Sequence, residues 1–314
     1  MKKKLIVAYN MNHLPDFHAR ASNFITTCQA IDYIDLFEKI PDYEYLIPSV
    51  KYALDRKLLM NAVKLKAIST PSTGTDHIDF TACEELGIKV FSMKNDTEFL
   101  SNITATAELA FALILNVIRM IPSANLHVLD GKWDASGFCG RELQGKTLGI
   151  IGFGRLGSIM GDYGLAFRMS VIAYDPYKKI QREGIRQVNF DELLNKSDII
   201  TIHVHLNDET RGMIGRDVFR QIKRGVVLVN TSRGAIIDSD ALIEALEDGT
   251  VYGAGLDVID NELAGNITEH PLVKYARRKS NLIITPHIGG VTVDSQQKAF
   301  IHALEKLIDF DRLL

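Results

Sequence analysis

Cysteine is scarce in this chain: three residues, Cys28, Cys83 and Cys139, among 314. They are too few and too scattered for a disulfide framework or a zinc cluster, so no metal is expected and a reduced, cytoplasmic setting is the default. Charge of either sign is not in excess, with 36 Lys+Arg against 39 Asp+Glu and a net charge of −3. No basic surplus exists to hold a nucleic-acid backbone, and no polar bias suggests disorder. Long hydrophobic runs are also missing. The longest, Leu109 to Ile121, contains Asn116 and Arg119 and falls short of the ~18 apolar residues of a membrane span. It reads as a buried helix. Met1-Lys2-Lys3-Lys4 imitates a secretory n-region, but Leu5 to Tyr9 is too short for the apolar segment that would follow. What remains is an ordinary globular composition, 46% hydrophobic and 24% charged, long enough for two domains.

Short β-rich runs alternate with helical patterns. In the first hundred residues the strands are Leu5 to Tyr9, Lys66 to Thr70 and Lys89 to Ser92, with Tyr45 to Pro48 as a further one whose proline suggests an end or an edge. A long apolar helix, Asn102 to Met120, is expected next, capped by Ser101 or Asn102. A second series follows: Thr147 to Ile151, Ser170 to Tyr174, Ile199 to Val204, Val226 to Asn230, Gly253 to Asp257 and Leu282 to Thr285. Alternation of this kind implies an α/β fold of parallel sheets with helices on both faces. Six strands are what a complete dinucleotide-binding domain requires. Helical periodicity returns from Thr292 to Leu314, with Phe300, Leu304, Leu307 and Ile308 on one face.

Gly149 to Gly157 places G-x-G-x-x-G directly after an apolar strand. Gly152 permits the tight turn, Gly154 lets backbone approach a pyrophosphate, and Gly157 allows close helix–strand packing. Arg155 and Leu156 open the helix, whose first N–H groups face the anion. The next strand ends in Asp175, an acid placed to accept hydrogen bonds from the adenine-ribose hydroxyls and to repel a 2′-phosphate. NAD is therefore the expected cofactor, with Lys178 and Lys179 leaving dual NAD/NADP use open.

Three further loops follow strands of the second series, where open α/β sheets bind ligands. They present Arg233, Glu262 beyond Asp257, and His287 after Pro286. Arginine clamps a carboxylate bidentately, and histidine exchanges a proton near neutral pH. Singly, each has a bland reading: a surface ion pair, a solvated loop acid, a helix cap. Together, at three strand ends, they suggest chemistry.

On these residues the chain resembles the D-isomer-specific 2-hydroxyacid dehydrogenases, a family that includes D-3-phosphoglycerate, glycerate and D-lactate dehydrogenases. The likeness runs through Ser72 to Asp79, Asn102, Ala107-Glu108, Leu143 to Gly149, the glycine motif, Asn230 to Gly234, Gly255 to Val258 and Thr285 to Gly290. The resemblance implies a Rossmann NAD-binding domain, residues 99–291, inserted into a flavodoxin-like substrate domain formed by 1–98 and 292–314. It implies His287 as acid/base, Glu262 as the partner that tunes it, and Arg233 as the grip on the substrate carboxylate. Backbone N–H groups at Thr73 and Gly74 would hold the same carboxylate, while Asp257, Thr231 and Thr106 resemble positions on the nicotinamide side. A homodimer through the cofactor domain, with 102–145 at the interface, is expected from the same likeness.

Two departures stand out. His203-Val204-His205-Leu206 puts a histidine where the family usually has proline near the adenine, a tolerated loop change or a source of altered cofactor affinity. Ile47 to Lys51 replaces an arginine-containing strand end typical of phosphoglycerate enzymes, although Lys51 or Arg56 offers a substitute charge. Two other functions compete with this one: an NAD-sensing corepressor or scaffold on the same fold, and a dehydrogenase of a different small anion such as phosphite or formate. Formate enzymes carry glutamine where Glu262 sits. Length suggests a compact catalytic unit without an appended sensor domain.

Overall fold

The computed structural model describes residues 2–30, 32–263 and 266–314, and the side chains of Asn23, Phe24 and Cys28 lie outside it. The chain divides into two compact units, one running to Ile103 and resuming at Val291–Leu314, the other Thr104–Gly290.

In the first unit five parallel strands are ordered β2-β1-β3-β4-β5. They are β1 (Lys3–Val7), β2 (Ile25–Gln29), β3 (Tyr45–Ile47), β4 (Ala67–Ser69) and β5 (Lys89–Phe91). This is the flavodoxin-like order. Alternate side chains serve the two faces. Leu5, Val7, Tyr45 and Ile47 pack against Phe300, Leu304 and Leu307 of the helix Val293–Arg312. Ile6, Leu46 and Ile68 meet Leu36, Leu58 and Leu59 on the other side. Three short helices start on aspartates, Asp32, Asp55 and Asp79, each accepting an N–H from the first turn.

The second unit holds seven parallel strands in the order β12-β11-β10-β9-β6-β7-β8. These are β6 (Thr147–Ile151), β7 (Ser170–Tyr174), β8 (Ile185–Gln187), β9 (Ile199–Ile202), β10 (Val226–Asn230), β11 (Val251–Leu256) and β12 (Leu282–Ile284). The order reverses between β6 and β9, which creates the switch point where such sheets bind ligands beyond their carboxyl ends. The helix Ala105–Arg119 lies over β10 and β11. Its close seat depends on glycine: a Cβ at Gly255 would stand 2.8 Å from Leu113 Cβ, and one at Gly253 2.8 Å from Val117 Cγ1.

Several expectations need correction. The long helix begins at Ala105, not 102, and Thr104 supplies no side-chain cap. By length and composition the stretch 97–119 would suit a membrane span. It is broken at 102–104, and eight residues from Ala105 to Ile118 are buried. Strands β2 and β8 add to those expected from the sequence. Of the two readings of Pro48 the end holds and the edge does not: it follows the last residue of β3, which is central, where its missing N–H costs no ladder bond.

Candidate active site

The glycine turn after β6 is built by two backbone constraints. Gly152 has φ 89°, a conformation that favours glycine. At Gly157 a Cβ would stand 2.1 Å from the Gly152 carbonyl oxygen, so the helix Arg155–Ala166 can sit this close only without a side chain there. Gly154 differs: a Cβ there would meet no atom within 4 Å, and no side chain caps the helix start. A helix start without a side-chain cap suits an anion. Asp175 ends β7 with its Oδ2 accepting from Phe153 N (3.0 Å) and its Oδ1 from Tyr177 N (3.0 Å). The acid and the glycine turn are one structure. These features, with the buried and unpartnered Oγ1 of Thr231 just past β10, fit a dinucleotide.

Asp257 organises the other half of the site. It is 1% exposed and follows β11. Its Oδ1 accepts from Thr285 Oγ1 (2.6 Å) and Ile288 N (2.8 Å), and its Oδ2 from Gly289 N (2.7 Å). Its carbonyl accepts from His287 N (2.9 Å). Burial pushes the Asp257 carboxyl above the usual carboxylate range, while the hydrogen bonds and the nearby His287 pull the other way. Every one of these bonds ties down the loop that carries His287, which itself sits in the left-handed region at φ 54°. Glu262, from the loop after β11, places Oε1 2.6 Å from His287 Nδ1, with both side chains about one-quarter exposed (25% and 30%). Hydrogen bonding at Nδ1 leaves Nε2 as the ring atom available for chemistry.

Arg233 lies beyond β10 in a turn shaped by Asn230, a residue that sequence reasoning missed. Asn230 is fully buried; its Nδ2 donates to Arg233 O (2.8 Å), its Oδ1 accepts from Ser232 N (2.9 Å), and its carbonyl accepts from Asp257 N (2.9 Å). A polar residue closing an all-apolar strand was the available signal. Thr106 belongs here too, its Oγ1 3.3 Å from where a Gly289 Cβ would stand, beside Asp257 Oδ2 at 3.0 Å. Arg233, Glu262, His287, Asp257, Thr231, Thr106 and the glycine motif therefore all fall in the second unit. Thr73 and Gly74 fall in the first, in a loop after β4 braced by Ser72 Oγ–H donating to Gly74 O (2.6 Å). Cys83 is buried and its thiol is pushed up to about 11 by desolvation, which suits no nucleophile.

The His203–Leu206 loop is closed locally. His205 is exposed, and its carbonyl accepts from Thr210 Oγ1 (2.6 Å). His203 Nε2 pairs with Thr201 Oγ1 (2.8 Å), whereas Nδ1 is buried without a partner. Desolvation lowers the His203 pKa to about 3. Between the ordinary histidine value of about 6.5 and the folded value, the unfolded chain binds a proton that the folded chain refuses. Stability is therefore full above that range and falls as pH drops through it, with a slope of at most about 1.4 kcal/mol per unit. The ring is not wholly out of water, so wild type should lose about 1–2 kcal/mol more than His203→Gln between pH 7 and pH 5. Urea unfolding at the two pH values measures this; equal losses would refute it.

A family model described as D-isomer specific 2-hydroxyacid dehydrogenase, NAD binding domain, matches residues 111–289. Among curated relatives, a hydroxypyruvate reductase of Thermotoga maritima is 36% identical over 285 residues, covering 90% of this chain and 89% of its own. A D-3-phosphoglycerate dehydrogenase of Archaeoglobus fulgidus is 37% identical over 278 residues, covering 88% of this chain; the chain spans only about half of that relative's length (51%). The crystal structure of a D-lactate dehydrogenase of Aquifex aeolicus, complexed with NAD and lactic acid, superposes with a TM-score of 0.82 at 31% identity, covering 99% of this chain and 96% of that one. With the family model and a full-length relative in agreement, the chain belongs to the D-isomer-specific 2-hydroxyacid dehydrogenases and carries their NAD-binding domain.

Proposed function

We propose that the protein interconverts a D-2-hydroxy acid and its 2-keto acid with NAD, using His287 as acid/base. The observation that carries this reading is the Glu262–His287 pair, its histidine on a loop fixed by Asp257, at the carboxyl end of the sheet that also bears Arg233 and the glycine turn. Bound NAD supplies or accepts a hydride at the substrate C2. In reduction, His287 Nε2–H gives its proton to the carbonyl oxygen, which becomes the hydroxyl; in oxidation the imidazole takes that proton back. Glu262 holds Nδ1 and so fixes the ring's orientation and tautomer. Arg233 pairs with the carboxylate, and its charge polarises the reacting carbonyl. The N–H groups of Thr73 and Gly74 provide a second hold.

Gly152, Gly154, Arg155, Leu156 and Gly157 would cradle the pyrophosphate and Asp175 the ribose, leaving Thr231, Asp257 and Thr106 toward the nicotinamide. Residues 1–98 with 292–314 act as substrate domain and 99–291 as cofactor domain. The same reading has two copies pair through the 102–145 region. The helix Ile121–Leu129 supports it, for none of its residues is buried and Leu126, Leu129 and the following Trp133 are 62%, 73% and 89% exposed.

The test is NADH oxidation with pyruvate, glyoxylate, hydroxypyruvate, 2-ketoisocaproate and 3-phosphohydroxypyruvate. Turnover with at least one is the expected result, giving the D isomer wherever the product has a stereocentre at C2. No turnover with any 2-keto acid would overturn the reading. Sedimentation of the same sample should report twice 35.0 kDa, and a monomer would remove the pairing.

A further inference from the structure

We infer that Asp260 and His270 are a positioning pair that locks the Glu262 loop, and through it the imidazole of His287, in reacting geometry. The inference rests on the acid/base reading of His287 above. Asp260 gathers three neighbours. Ser239 Oγ–H donates to Oδ1, and Asn261 Nδ2 donates to Oδ2 (3.1 Å). His270 Nε2 lies 3.0 Å from Oδ1 and 3.0 Å from the Asp260 carbonyl oxygen. The opposite ring atom, Nδ1, accepts Leu272 N–H (3.2 Å) and so caps the helix Pro271–Ala276. Only one neutral tautomer satisfies both sides: Nε2 carries the proton and Nδ1 does not. The ring, 9% exposed, is thus a rivet between the helix start and the loop ten residues before it.

Glu262 lies two residues past Asp260. Asn261 between them makes a sharp turn at φ 52°, a region asparagine tolerates. The same peptide also supports the arginine turn. A Cβ at Gly234 would stand 1.8 Å from Ile259 C and 2.2 Å from Asp260 N, so backbone next to Arg233 is stacked directly on the Ile259–Asp260 peptide. A shift at Asp260 therefore reaches Glu262 through the chain and Arg233 through packing. Displacements of about 1 Å in a catalytic constellation can cost on the order of a hundredfold in rate. Neither Asp260 nor His270 is assigned any contact with the reacting atoms; both act through Glu262.

Two substitutions separate the two ends of the ring. His270→Gln puts an amide donor where Nε2 stands and gives up the helix cap. His270→Asn keeps a cap acceptor where Nδ1 stands and falls short of Asp260. Each loses one hydrogen bond, so melting temperatures should fall similarly. The kinetics should not. His270→Asn and Asp260→Ala should lower kcat about tenfold to a hundredfold, with NADH affinity retained and a larger solvent deuterium isotope effect as proton transfer becomes limiting. His270→Gln should keep most of kcat. Wild-type kcat in both His270→Asn and Asp260→Ala would overturn the proposal, as would equal kcat losses in the Gln and Asn variants that follow melting temperature. Glu262→Ala distinguishes the two readings, since glutamine still accepts from Nδ1. If it loses kcat while His270→Asn and Asp260→Ala do not, the positioning pair fails and the acid/base reading stands. If Glu262→Ala keeps wild-type kcat, the positioning pair fails, having nothing to act through, and the acid/base role is decided by His287→Asn.

Discussion

Replacing His287 should lower kcat by about two to four orders of magnitude while leaving NADH binding close to wild type. The choice of replacement matters because His287 sits at φ 54°. Alanine in the left-handed region carries a backbone cost of about 1–2 kcal/mol, so a loss of activity in His287→Ala mixes chemistry with a displaced loop. Asparagine tolerates that region far better. It can also bond to Glu262, but it cannot exchange a proton with the substrate oxygen. If His287 acts by proton transfer, His287→Asn and His287→Ala should lose kcat to a similar extent, the asparagine variant with the higher melting temperature. NADH fluorescence titration should show both variants binding the cofactor, since the glycine turn and Asp175 follow β6 and β7, away from β12 and this loop in the strand order. Near-normal turnover in the asparagine variant would sink the acid/base role. A large loss in alanine alone would assign the effect to the loop.

Much of this site was legible because its parts sit where apolar strand runs stop. Arg233, Glu262 and His287 each follow a strand whose buried residues announce it, and the glycine motif carries its own geometry. The elements that escaped are two of the four edge strands; the other two, β5 and β12, carry the apolar runs Val90-Phe91 and Leu282-Ile283-Ile284 that revealed them. β2 (Ile25–Gln29) and β8 (Ile185–Gln187) each pair with one neighbour only. Half-paired strands need no unbroken apolar run, so Thr26, Thr27, Arg186 and Gln187 hid them. β2 also starts at the residue directly after the preceding helix, Pro15–Phe24, without a turn residue to mark the change. The site's supporting residues were hidden for a different reason. Asn230 supports Arg233 from within its own strand end, but its link to Asp257 spans two strands. His270 reaches Asp260 across a loop. Such bonds join residues whose chain separation has no period, so they emerge only when the topology brings strand ends together.

The glycine motif yields the second large effect, and it separates two glycines that one pattern treats alike. Gly157→Ala puts a methyl group 2.1 Å from the Gly152 carbonyl oxygen and 3.2 Å from Ile150 Cγ2. The first neighbour is backbone, so either the helix Arg155–Ala166 lifts from β6 or the turn at Gly152 gives way. Overpacking of this kind costs about 1–3 kcal/mol of stability. The first-turn N–H groups move with the helix, so NADH affinity should fall on the order of a hundredfold, about 2.7 kcal/mol. Gly154→Ala meets nothing within 4 Å, and its φ of −77° suits any residue. That variant should keep its melting temperature, yet its methyl group occupies the space through which a pyrophosphate would approach. Its affinity should fall as well. The pair of measurements, melting temperature and NADH titration, therefore distinguishes a glycine needed for packing from one needed for access. If Gly154→Ala binds NADH like wild type, the pyrophosphate does not lie against that backbone. If Gly157→Ala does, the helix start can move without consequence, and the anion site must be built from other groups.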